Sequence, residues 1–152
     1  MIKTHWAAVC ALLLSISCFS AYASDSAGMV KVAKGQVSIE RNGKKMAAQV
    51  GSSIEVADRV RTGPDSSVGV TLRDNTLLSA GPNSLIVIEK FAFDNTTQDG
   101  NMSIRIRKGT LSVASGKIAK RTPESVDFHT PTSVLGVRGT EFVIEVAGGN
   151  DE

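Results

Sequence analysis

The sequence predicts an all-β domain, and three observations carry that reading. Apolar residues recur with period two or in short runs, as in Val68-Val70-Leu72, Ile104-Ile106 and Phe142-Ile144-Val146, the pattern of strands with one buried face. Turn-forming residues separate the runs: Asn42-Gly43, Gly63-Pro64-Asp65, Asp74-Asn75, Gly81-Pro82-Asn83, Asp99-Gly100 and Lys108-Gly109, each supplying a left-handed or φ-fixed position. No segment carries an i, i+3, i+4, i+7 apolar stripe. Together they predict about ten short strands. Turn signals at intervals near twenty residues favour a compact solenoid-like or roll-like β-fold, with a two-sheet sandwich as the runner-up.

Residues 1–23 (MIKTHWAAVCALLLSISCFSAYA) combine a positive Lys3, an apolar run from Ala7 to Phe19 and the small-x-small site Ala21-Tyr22-Ala23. This is the pattern of a secretory signal peptide. The apolar run falls short of the ~20 residues of a spanning helix, so the mature chain is expected to have no transmembrane span and to be secreted through the inner membrane into the periplasm. A minor alternative is a lipoprotein anchored through Cys18, although Ser15 stands where a lipid-attachment site usually has Leu. The expected organisation is then a lead at 24–29, a β-domain at 30–147 and a flexible tail at 148–152. Within the domain, Asp94 to Asn101 reads as an exposed hairpin tip and Ser115 to Glu124 as a basic, mobile loop.

Composition excludes several chemistries. Both cysteines, Cys10 and Cys18, fall in the leader, so the mature domain is expected to have no disulfide, thiol nucleophile or thiolate metal site. His129 is the one histidine after the leader, too little for a zinc cluster. No nucleophile elbow, phosphate loop or dinucleotide fingerprint occurs. No catalytic, cofactor or metal residues are assigned, and no enzyme is expected. The formal net charge of +2 lacks the strongly basic balance of nucleic-acid binders. Trp6 and Tyr22 are both in the leader, which leaves only Phe for stacking on sugars.

The most constrained stretch runs from Phe128 to Val146. Pro131 cannot donate to a ladder and pushes Thr130 towards extended geometry. Gly136 and Gly139 bracket Val137 and Arg138, with Thr140 following. Thr130-Pro131 with Gly136-Val137-Arg138-Gly139-Thr140 and Phe142 resembles the closing signature of FecR domains. Upstream, Val60-Arg61-Thr62-Gly63 with Ser66-Ser67, Leu72-Arg73-Asp74-Asn75-Thr76, Gly81-Pro82-Asn83-Ser84 and Lys108-Gly109-Thr110 are similar to that family's earlier sections in the same order. The resemblance covers roughly residues 30–146. It departs at Ala57, where the family usually has Gly, and at Asn75, where it often has Gly. Arg138 is expected to pin a neighbouring turn through carbonyls or an ion pair with Asp58 or Asp74; the alternative is a partner-binding arginine.

The resemblance implies a non-enzymatic envelope binding or sensing module that makes protein–protein contacts in the periplasm. The regulators of that family that act on sigma factors also carry a cytoplasmic anti-sigma segment and a membrane span, and neither is visible in this sequence. Two basic clusters are candidates for contact with an unknown envelope protein or an anionic cell-surface polymer: Arg105, Arg107 and Lys108 on a strand, and Lys117, Lys120 and Arg121 in a loop. Both also fit solvated faces. The rival function is a cell-wall polysaccharide-binding or hydrolytic domain.

Overall fold

The computed structural model describes residues 26–139 and 141–148. The expected leader with Cys18, Thr140 of the glycine-bracketed motif and residues 149–152 of the expected tail lie outside them. Twelve strands follow one another: β1 (Gly28–Lys34), β2 (Val37–Arg41), β3 (Lys44–Ala47), β4 (Ser53–Ile54), β5 (Arg59–Thr62), β6 (Ser67–Leu72), β7 (Leu77–Ala80), β8 (Leu85–Phe93), β9 (Gly100–Ala114), β10 (Val126–His129), β11 (Val134–Gly136) and β12 (Glu141–Val146). The chain is all-β, as its alternation requires. The strands that no apolar run marked are β3 and β11, whose residues are all exposed. β1 begins at Gly28, inside the segment read as a lead, because Ala27 and Val30 are already buried.

The expected loop is corrected. The basic loop from Ser115 to Glu124 is a short helix α1 (Lys117–Arg121) followed by a 3-10 turn at Pro123–Ser125. Ile118 and Ala119, hidden among the charges, are buried. The Asp74 carboxylate accepts the Ile118 N–H at 3.3 Å, and the Asp74 carbonyl accepts the Lys117 N–H at 2.8 Å. Those bonds satisfy donors at the helix start.

The strands form one curled sheet with two halves. In one half the order is β3, β2, β5, β8, β9, β10, β11; in the other it is β4, β1, β6, β7, β9, β12. Strand β9 belongs to both: Gly100–Lys108 pairs with β8, and the stretch from Gly109 pairs with β12. Inward residues of the two halves make a single core, Ile39, Val60, Ile86 and Ile104 with Val30, Val70, Leu78 and Leu111. The architecture is the roll-like alternative. The β9–β10 pair is the only parallel ladder among the described residues, so the recurring turns are hairpins and corners between antiparallel strands, not rungs of stacked coils.

The corners repeat. Gly63-Pro64-Asp65-Ser66 and Gly81-Pro82-Asn83-Ser84 share a conformation, with φ of 52° at Asp65 and at Asn83. Each serine hydroxyl donates to its own proline carbonyl, at 2.9 and 3.3 Å. Each also accepts a backbone N–H from a Lys-Gly-x bend: Gln36 to Ser66 at 2.9 Å, and Thr110 to Ser84 at 3.0 Å. The carbonyls of Gln36 and Thr110 accept from Gly63 and Gly81 at 2.8 and 3.0 Å. The bends are where the chain passes between sheet halves, at Gly35 (φ 70°) and Gly109 (φ 86°). A Cβ there would lie 2.4 Å from Ser66 Oγ and 2.2 Å from Ser84 Oγ respectively. Glycine is needed at both for φ and for space.

Candidate recognition face

The tightest polar assembly stands at the start of β5. Asp58 is fully buried. Arg41 donates to both Asp58 carboxylate oxygens, Nε to Oδ1 at 2.8 Å and Nη2 to Oδ2 at 2.7 Å, and reaches Glu55 Oε1 at 2.5 Å. Asp58 Oδ2 also accepts the Glu55 N–H at 2.8 Å. The hydrogen bond to Asp58 raises the Arg41 pKa further above neutrality. The turn that carries Asp58 inward places Ala57 at φ 72°, which is why glycine is the expected residue there.

Arg138 does not fill the role expected of it. It is exposed, and the two carboxylates proposed for it are engaged elsewhere: Asp58 by Arg41, and Asp74 by Thr76 Oγ1 at 2.8 Å and the Ile118 N–H. The surrounding motif builds an exposed hairpin edge. Thr130 Oγ1 accepts the Ser133 N–H at 2.9 Å and closes the turn through Pro131; β11 then pairs with β10, Gly136 opposite Asp127. Val137 packs on the core, and Gly139 lies beside Lys120 and the Ala119 carbonyl.

Of the two basic clusters, the first becomes part of a larger surface. Register places Lys45, Glu40, Arg59, Val87, Arg105 and His129 in one row across β3, β2, β5, β8, β9 and β10. Their inward neighbours Ile39, Val60, Ile86, Ile104 and Phe128 are buried, so this row faces outward. Arg61 and Arg107 extend it by one position. Lys108 stands opposite Leu85 at a bulge, half-buried. Two carboxylates temper the charge. Glu40 lies 3.7 Å from Arg59, and Glu89 forms a short ion pair with Arg105. That hydrogen bond, with added attraction from Arg105 and His129, holds the Glu89 carboxyl below the usual glutamate range. Between β2, β3 and β5 the surface opens into a groove of about 600 Å³ bordered by Lys45, Arg61, Ser38 and Gln49.

The second cluster is built differently. Arg121 Nε meets Asp99 Oδ1 at 2.9 Å, Lys117 Nζ lies 6.0 Å from the centre of the Phe93 ring, and Lys120 is exposed. These contacts tie it to the β8–β9 tip, roughly 16 Å along β9 from Arg105 at strand rise. The register does not join it to the first cluster. Arg59 and Arg61 escaped the sequence reading as surface residues. The signal existed in Arg59-Val60-Arg61, which alternates like Arg105-Ile106-Arg107.

Across two strand spacings, about 10 Å, the face carries planar arginine forks of the kind that suit carboxylate or phosphate oxygens, with Arg59 and Arg105 already paired to Glu40 and Glu89. Among the described residues no group of three His, Cys, Asp or Glu side chains could hold a metal ion. Fold and face together define an all-β domain with a mixed-charge outer sheet face. The family model described as FecR protein matches residues 58–152, more than half of the chain, and the chain belongs to that family. The match begins at the buried Asp58; β1 to β4 precede it while supplying strands to both sheet halves. No curated protein matches the chain, and no solved structure does. The family is regulatory and associated with the cell envelope, and no helix among the described residues is long and apolar enough to cross a membrane.

Proposed function

We propose that this chain is a non-enzymatic sensing module of the bacterial envelope, exported by its leader to the periplasm, and that it works by binding a partner protein. The observation that supports the reading most is the outward row of Arg59, Arg61, Arg105 and Arg107 on a sheet of a family with envelope-signalling members. The row mixes cations with Glu40, Glu89 and the apolar Val87. A patterned face of that kind fits a protein surface with carboxylates at defined places, since a uniform polyanion is served best by uniform positive charge. The test is affinity capture from envelope extract with the parent and with Arg61→Glu/Arg107→Glu. The expected result is a protein retained by the parent and lost by the variant at an unchanged unfolding midpoint. Equal retention by both removes this face from the function.

A further inference from the structure

The opposite sheet half has an outer face of another kind. Where β1, β6, β7, β9 and β12 lie side by side, register gives a central row Val32, Gly69, Ser79, Ser112, Val143. The row beside it is Met29, Thr71, Leu77, Ala114, Glu141. Their inward neighbours Val30, Val70, Leu78, Val113 and Ile144 are in the core. The centre of this face is small and uncharged, and its exposed apolar residues are large: Met29 41%, Val32 46%, Leu77 49% and Val143 65% exposed. Apolar surface gathered on one sheet face marks an interaction site.

Charge is confined to the two edges and is opposite in sign. Lys31 and Lys34 stand on β1; the Lys31 ammonium lies 3.6 Å from Met29 Sδ, which keeps it at the outward side. Glu141 and Glu145 stand on β12. Lys34 opposite Ser67 and Glu145 opposite Thr110 mark the same end of the sheet, separated by four strand spacings, about 19 Å.

We propose that this face binds a second copy of the same chain, face to face, about a twofold axis that runs parallel to the strands over β7. That axis exchanges the edges while preserving position along the strands. Lys34 of each copy then meets Glu145 of the other, and Met29, with the Lys31 ammonium beside it, meets Glu141. Val32 falls on Val143, Gly69 on Ser112, and Leu77 and Ser79 on their own counterparts. Small residues at the centre admit the ~10 Å approach of stacked sheets, and aligned packing keeps the strands within ~30°. The alternative axis, across the strands, would set Lys on Lys and Glu on Glu. The patch is roughly 24 by 16 Å by strand geometry, about half the ~800 Å² that each partner buries in a standard interface, which makes the association weak and concentration-dependent.

Sedimentation velocity of the purified protein over a wide concentration range tests this, with Lys34→Glu, Glu145→Lys, the double exchange, and Ser79→Arg at the axis. The parent is expected to sediment faster as concentration rises. Each single charge reversal should weaken self-association roughly tenfold or more, and Ser79→Arg should abolish it. The double exchange should restore it. Mixing Lys34→Glu with Glu145→Lys should give a heterodimer, because each contact is then complementary. All variants should keep the parental urea midpoint. A parent that stays monomeric throughout, single reversals that associate like the parent, or a double exchange that does not recover would each overturn the proposal.

Discussion

Arg41 and Arg138 show how one residue's role depends on which strand delivers it. Both are arginines near turn glycines. Only Arg41 ends a strand whose pairing with β5 brings it onto the buried Asp58. Arg41→Ala should therefore leave an unpaired buried carboxylate and cost about 3–5 kcal/mol in urea unfolding. Arg138→Ala should change the midpoint by less than about 0.5 kcal/mol, as for other exposed positions. The sequence singled out Asp58 as a partner and missed the arginine, because the pairing depends on a register that no local pattern displays. Ala57 was legible: a residue standing where the family has Gly marks a position needing positive φ, and φ is 72° there. Ala57→Gly should raise stability by about 0.5–1 kcal/mol, since relief of left-handed strain exceeds the added freedom of the unfolded chain. A lower midpoint for Ala57→Gly would contradict that balance.

At the level of elements, the corners carry the passage of chain between sheet halves. Ser84→Ala removes an acceptor for the Thr110 N–H and should cost about 1–3 kcal/mol. Gly109→Ala should cost more than Ser84→Ala, because it adds both a positive-φ side chain and an overlap with Ser84. Thermal or urea unfolding of the pair ranks them. The turns themselves were legible from Gly-Pro-Asp and Gly-Pro-Asn. Their likeness was not, because it lies in which distant Lys-Gly bend each serine caps. Helix α1 was hidden for a simpler reason: five residues are too few to show a period, and its buried Ile118 and Ala119 sit among four charges and a glycine. The paired side chains of β8 and β9 make a pH prediction. Glu89 has its folded pKa lowered by Arg105. Its contribution is therefore present above the unfolded value of about 4.3 and is lost as pH falls through the lower folded value. Glu89→Gln should be less stable than the parent near neutrality, and the gap should close in acid. A gap that widens below pH ~4 would reverse the assignment.

For the whole molecule, alternation of apolar residues was sufficient to predict an all-β chain, since each strand needs one buried face wherever it is placed. It could not select a curled antiparallel sheet over stacked coils, because side-chain period is the same in both and only hydrogen-bond partners differ. The same gap affected the candidate site. Arg59-Val60-Arg61 and Arg105-Ile106-Arg107 each display an outward pair in their own alternation, whereas their meeting on one face depends on β8 between them. The proposed function requires a partner to dock on that arginine row. Amide hydrogen exchange of the protein with its captured partner tests it most directly. New protection is expected on β5 and the middle of β9, around Arg59–Thr62 and Ser103–Arg107. Protection confined to α1 and the 130–139 hairpin edge, with β5 unchanged, would contradict it.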